Sequence, residues 1–125
     1  MSILPYMDIK HEYGTFDCVE LIKQFYEKEL GILIELPKYP KSDEWMTEMS
    51  IGYIDEHLLN YFIKIDLQNV KKYDLLVFRN KNKIIHFAIY IPTFRMFHIL
   101  KGSYAKIDII NDLWLKRLYN VYTLV

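Results

Sequence analysis

DCVELIKQFYEKELG, residues 17–31, decides the reading of this chain. Cys18, Leu21, Ile22, Phe25 and Leu30 recur at the spacing of one face of an amphipathic helix, and Gly31 supplies a left-handed C-cap. Asp17 can accept from a free N–H group of the first turn, and Glu20, three residues on, can reach back to the cap. This is a capping box with aspartate at its head. Cys18 then falls on the first helical position.

Before this helix, residues 1–14 are short and mixed, and Leu4, Pro5 and Tyr6 suggest a segment laid against the body. After Gly31 the run ILIELPKYP is closed by Pro37 and Pro40, so an extended segment or turn is expected rather than more helix. Ser42, followed by Asp43 and Glu44, can cap a short helix carrying Trp45, Met46 and Met49. A further helix is expected from about Ile54 to Ile63, with Ile54, Leu58, Leu59 and Phe62 as its stripe.

The second half changes period. Asp74 to Phe78, His86 to Ile91, Met96 to Leu100, Lys106 to Ile110 and Leu118 to Leu124 are short β-rich runs parted by turn-like pieces such as RNKNK and PTFR. They suggest an antiparallel meander. Helices first and strands second is the α+β pattern, one domain over residues 1–125, with N-terminal helices and an antiparallel β-sheet, one face of which is covered by the first helix.

Composition narrows the function. Of the 125 residues 52% are hydrophobic, enough to fill a core, and 16 basic residues balance 16 acidic ones. That balance lacks the electrostatic footprint of a nonspecific nucleic-acid binder, so no nucleic-acid partner is expected. The single cysteine leaves the core, not a disulfide, to hold the fold. Residues 1–15 lack the pattern of a secretion signal, and no run approaches the roughly 20 apolar residues of a membrane helix, so neither export by a signal peptide nor membrane insertion is expected.

A cysteine on an apolar helix stripe serves as a small buried hydrophobe or as a nucleophile. At a helix start the exposed N–H groups and the dipole favour a thiolate, so a lowered pKa is expected for Cys18, with Glu20 opposing it unless its carboxylate is taken up in capping. The same N–H groups could face the oxyanion of an attacked carbonyl. A nucleophilic thiol needs an imidazole, best held by a third polar group, and His86 and His98 are the candidates. On its strand His86 shares a face with Ala88 and Tyr90, while Phe87, Ile89 and Ile91 point to the other. His86 and His98 share a face only if the hairpin pairs residues whose numbers sum to an even value. A four-residue loop over 92–95 would give the opposite parity unless a bulge corrected it. Cys18, His86 and His98 could also supply three zinc ligands, but no closely spaced pair of ligands nucleates such a site, and no metal or cofactor is expected. His11 and His57 have no partner pattern and read as surface or local structural residues.

Three blocks resemble the NlpC/P60 cysteine peptidases, particularly small forms from bacteriophage tail proteins. GTFDCVELIKQFYEKELGI resembles the block that opens the nucleophile helix, its LGI suiting the phage-tail branch. DLLVFRNKNKIIHFAIYIPTFRMFHI resembles the histidine block, and LKRLYNVYTLV the closing strand. The resemblance implies a reduced papain-like core with Cys18 as nucleophile, His86 as general base and His98 as the residue orienting the imidazole. Tyr6 of LPYMD matches the tyrosine beside the nucleophile, and Tyr6 and Asp17 are the implied oxyanion or substrate-binding residues. The implied reaction is hydrolysis of amide bonds in peptidoglycan stem peptides without a cofactor. The implied setting is the virion tail, or the host cytoplasm during assembly, with other tail proteins as partners. An inactive structural or assembly domain of a tail, and a papain-like amidase or acyltransferase, are the alternatives. Ile9 and Lys10 stand where the family usually has a glycine pair, and Val19 and Glu20 where it usually has small residues. All four lie beside the expected cleft.

Overall fold

The structure is a computed structural model that describes residues 9–10, 17–35, 51–81 and 83–125. Its first helix, α1, spans Cys18–Leu30. Asp17 is its N-cap, accepting from Glu20 N at 2.9 Å, and Gly31 closes it at φ 68° with its N–H turned back to the last carbonyls. Cys18, Val19, Leu21, Ile22, Phe25 and Tyr26 are buried along it. Both caps and the apolar face follow the sequence reading.

Helix α2 covers Ile51–Leu58 and ends four residues before strand β1, Phe62–Ile65. The expected helix to Ile63 is therefore too long, and its last residues open the sheet instead. Phe62 fits both readings, since it lies four residues after Leu58 and also faces inward on a strand. The helix expected around Trp45, Met46 and Met49 lies outside the described residues, as do Leu4, Pro5 and Tyr6.

After a short 3₁₀ turn at Leu67–Asn69 come β2 (Leu75–Asn80), β3 (Lys83–Ile91), β4 (Arg95–His98), β5 (Lys106–Ile109), helix α3 (Asp112–Arg117) and β6 (Leu118–Leu124). Strands β2 to β5 form the expected antiparallel meander, but the complete order is β1-β6-β2-β3-β4-β5. The last strand returns to lie between the first two, pairing antiparallel with each.

Both faces of the sheet are covered. One carries α1 and α2 over Leu75, Val77, Phe87, Ile89, Phe97 and Tyr122. The other packs Leu76, Phe78, Ala88, Tyr90, Met96 and Val121 with Trp114 and Leu115 of α3. The single covered face of the sequence reading becomes two because α3, a six-residue helix capped by Asn111, closes the second. Alternation along β3 sends Phe87, Ile89 and Ile91 to the first core and His86, Ala88 and Tyr90 to the second face, as read from the sequence.

The strands on either side of β2 each carry one extra residue at the same level. On β3 the partners step from Phe78↔His86 to Arg79↔Ile84, and on β6 from Val77↔Asn120 to Phe78↔Leu118. These paired β-bulges sit directly beside His86.

Candidate active site

The β3–β4 hairpin pairs Ile89↔Phe97, Tyr90↔Met96 and Ile91↔Arg95 around a three-residue loop at 92–94. The sums are even, which puts His98 on the face of His86. Both rings are buried, and His86 Nε2 lies 2.9 Å from His98 Nδ1.

Cys18 belongs to the helix on the opposite face, and its link to the histidine strand runs through the backbone of β3. The register between β3 and β4 runs from Ile91↔Arg95 to Ile89↔Phe97, and Phe87, which follows His86, lies two residues before Ile89 on β3. The Phe87 amide donates a hydrogen bond to the Cys18 thiol. The sulfur therefore lies against the peptide unit that joins His86 to Phe87.

The thiol is 4% exposed. Burial pushes its pKa up to about 12. The Phe87 amide, then the amides of Cys18 and Val19, pull the other way, and the Asp17 carboxylate adds to the rise. The expected lowering is thus reversed: the helix N–H groups act as foreseen, but removing a thiolate from water costs more than they return. The opposing carboxylate is also not the expected one. Glu20 turns toward Lys23, 3.7 Å away, and Asp17 is the acid that acts on the sulfur.

Beyond His98 lies a residue that sequence reasoning missed. His98 Nε2 is 2.7 Å from Oδ2 of Asp108 on β5. The β4–β5 register pairs Met96 with Asp108 and His98 with Lys106, so all four share one face. The available signal was an acid between two isoleucines in the strand KIDI, but only the register shows where it points. Trp114 was missed as well: its ring lies 5.2 Å from that of His86 and 5.8 Å from that of His98, and walls the pair on the α3 side. Burial holds the His98 pKa below its ordinary value, with Asp108 opposing and Lys106 assisting that fall.

Tyr6 lies outside the described residues. Asp17 is buried as the helix cap. Lys10 forms an isolated bridge with Tyr104, and Ile9 is partly exposed with its carbonyl bonded to Ala105 N. Val19 is buried in the core. No helix among the described residues is long and apolar enough to cross a membrane.

No curated protein matches this chain. Among solved structures, a Staphylococcus aureus protein described as similar to a lipoprotein of the NLP/P60 family shares 20% identity at a TM-score of 0.68, over 98% of this chain and 38% of its own. A Bacillus cereus NlpC/P60 family protein shares 19% at 0.58, over 85% and 30%. RipD of Mycobacterium tuberculosis shares 18% at 0.51, over 88% and 67%, and is described as a non-catalytic NlpC/p60 domain protein adapted to peptidoglycan binding. The chain thus spans well under half of the first two, and the likeness is one of fold. Residues 8–123 match the model of the NlpC/P60 family, and the chain belongs to that family.

Proposed function

We propose that this protein is a cysteine peptidase that hydrolyses amide bonds in peptidoglycan stem peptides. The observation that carries the reading is the placement of the Cys18 thiol on the amide that follows His86, with His86 Nε2 committed to His98. In the reaction His86 takes the thiol proton as the sulfur attacks the amide carbonyl, and the Cys18 backbone N–H faces the oxyanion, a role in which the sequence resemblance alone adds Tyr6. His86 then protonates the leaving amine. Water, deprotonated by the same imidazole, releases the acyl group from sulfur. Asp17 holds the helix start that presents these N–H groups.

A tail-associated setting in a bacteriophage, with other tail proteins as partners, is proposed on the sequence blocks alone, and its test is detection of the protein in purified virions. A silent, peptidoglycan-binding module is the second reading. It is favoured by the depth of burial of Cys18 and by the description of RipD.

The deciding experiment incubates purified protein with stem peptides and compares wild type with Cys18→Ala and His86→Ala. Cleavage lost in both variants supports the peptidase. Peptide binding by the wild type without cleavage, unchanged in Cys18→Ala, replaces it with the binding module.

A further inference from the structure

The contacts leaving His86 do not end at His98. A carboxylate can only accept a hydrogen bond, so the 2.7 Å contact with Asp108 Oδ2 requires a proton on His98 Nε2. Burial favours the neutral form of the His98 ring, and a neutral imidazole carries one proton, so Nδ1 has none. Nδ1 lies 2.9 Å from His86 Nε2, and of two nitrogens at that distance one must donate. The donor is therefore His86, through Nε2–H. A neutral His86 protonated at Nε2 keeps its lone pair on Nδ1, the nitrogen not engaged with His98.

Resting on the peptidase reading above, we propose that Asp108 is a positioning residue that acts through His98 to hold His86 in the Nε2–H tautomer, so that Nδ1 is its basic nitrogen. Asp108 is well placed for this. Its side chain is 40% exposed, reaching solvent while its oxygen meets a buried ring. Lys106 Nζ, 3.7 Å from the same oxygen, also faces it. Trp114 covers both imidazoles and contributes no acceptor, since its indole can only donate. Among the contacts described for His98, the carboxylate is thus the group that distinguishes its two nitrogens.

The test is ¹⁵N NMR of the imidazoles in wild type, Asp108→Asn and Asp108→Leu, run beside steady-state kinetics and thermal unfolding. Wild-type His86 is expected as the Nε2–H tautomer. Asp108→Asn offers an amide donor to His98 Nε2 and lets both rings reverse, and Asp108→Leu removes the acceptor. Each should raise the Nδ1–H population of His86 and lower kcat about 10²-fold, with KM changed less than about twofold. Asp108→Glu should restore part of the wild-type tautomer.

A wild-type His86 in the Nδ1–H form overturns the proposal without any variant, as does an unchanged tautomer in folded Asp108→Asn and Asp108→Leu. The spectra need no turnover, so the two readings fail separately. A tautomer shift in a protein that cleaves nothing retains the role of Asp108 and removes the peptidase. Full activity with an unshifted tautomer does the reverse.

Discussion

At Cys18 two effects of opposite sign meet in one atom. Three backbone amides favour the thiolate, burial and Asp17 oppose it, and burial prevails, leaving the thiol pKa at about 12. The native protein should therefore react slowly with iodoacetamide at pH 7, and the rate should climb about tenfold per pH unit through the alkaline range. Fast alkylation at neutral pH would show a site open to water. Stability carries the same signature. The thiol binds its proton more tightly folded than unfolded, so its contribution is complete below the unfolded value near 9.0 and is lost as pH rises from there toward about 12. The loss amounts to at most about 1.4 kcal/mol per pH unit in that window. Denaturant titrations at pH 8 and pH 10 should show a steeper decline for wild type than for Cys18→Ala. Asp17→Asn separates the two jobs of the cap. Asparagine still accepts from Glu20 N but carries no charge, so alkylation at pH 9 should quicken while the melting temperature holds. Of this, the position of Cys18 on the first turn was legible in the sequence, because Asp17, Glu20 and Gly31 mark both ends of the helix locally. The burial of the sulfur was not, because it comes from a core cluster whose strand residues lie more than forty positions away in the chain.

At the scale of elements, α1 is the part whose chemistry is most local. Gly31 holds φ 68°, and a Cβ built there meets nothing within 4 Å. Gly31→Ala should then cost only the backbone strain, about 1 kcal/mol in a urea titration, and a much larger loss would reveal a packing role. The strand pattern of the second half was equally readable, since Ile, Val, Phe and Tyr alternate through β3 and β6. Strand β1 and helix α3 were not. Four residues of β1 are too few for a period of two to separate from the helical stripe that begins at Ile54. In α3, Leu113 is exposed and Trp114 and Leu115 are only partly buried, and six residues are too few for a helical stripe to be read. Its local marks are the cap, Asn111 accepting from Trp114 N at 3.0 Å, with Asp112 in the first turn and Lys116 and Arg117 in the last. The pairing of His86 with His98 was legible only as a parity condition, which the three-residue loop then met.

The whole molecule is tied together by contacts distant in sequence, above all the return of β6 between β1 and β2. Tyr122 of β6 is fully buried, and its hydroxyl donates to Asp55 of α2 at 2.5 Å. Asp55 also pairs with Lys64 of β1 at 2.8 Å. One carboxylate thus joins a helix to two neighbouring strands. Tyr122→Phe should lower stability by about 1.5 to 3 kcal/mol, the range for a hydrogen bond to a charged group, with an unchanged urea m-value. A variant as stable as wild type would mean that Lys64 alone satisfies Asp55. No local pattern announces such a link, because each of the three residues is ordinary on its own element.

The paired bulges beside Phe78 put the β2–β3 hairpin tip and the histidine pair on separate counts. Leu75↔Ile89 through Phe78↔His86 keep one step, and Arg79↔Ile84 begins another. A residue gained or lost around positions 79–83 can be taken up where the ladder already slips, without turning His86 away from His98. The tip is therefore the place where this chain can drift in length, or grow a loop toward a new neighbour, while the imidazoles keep their address.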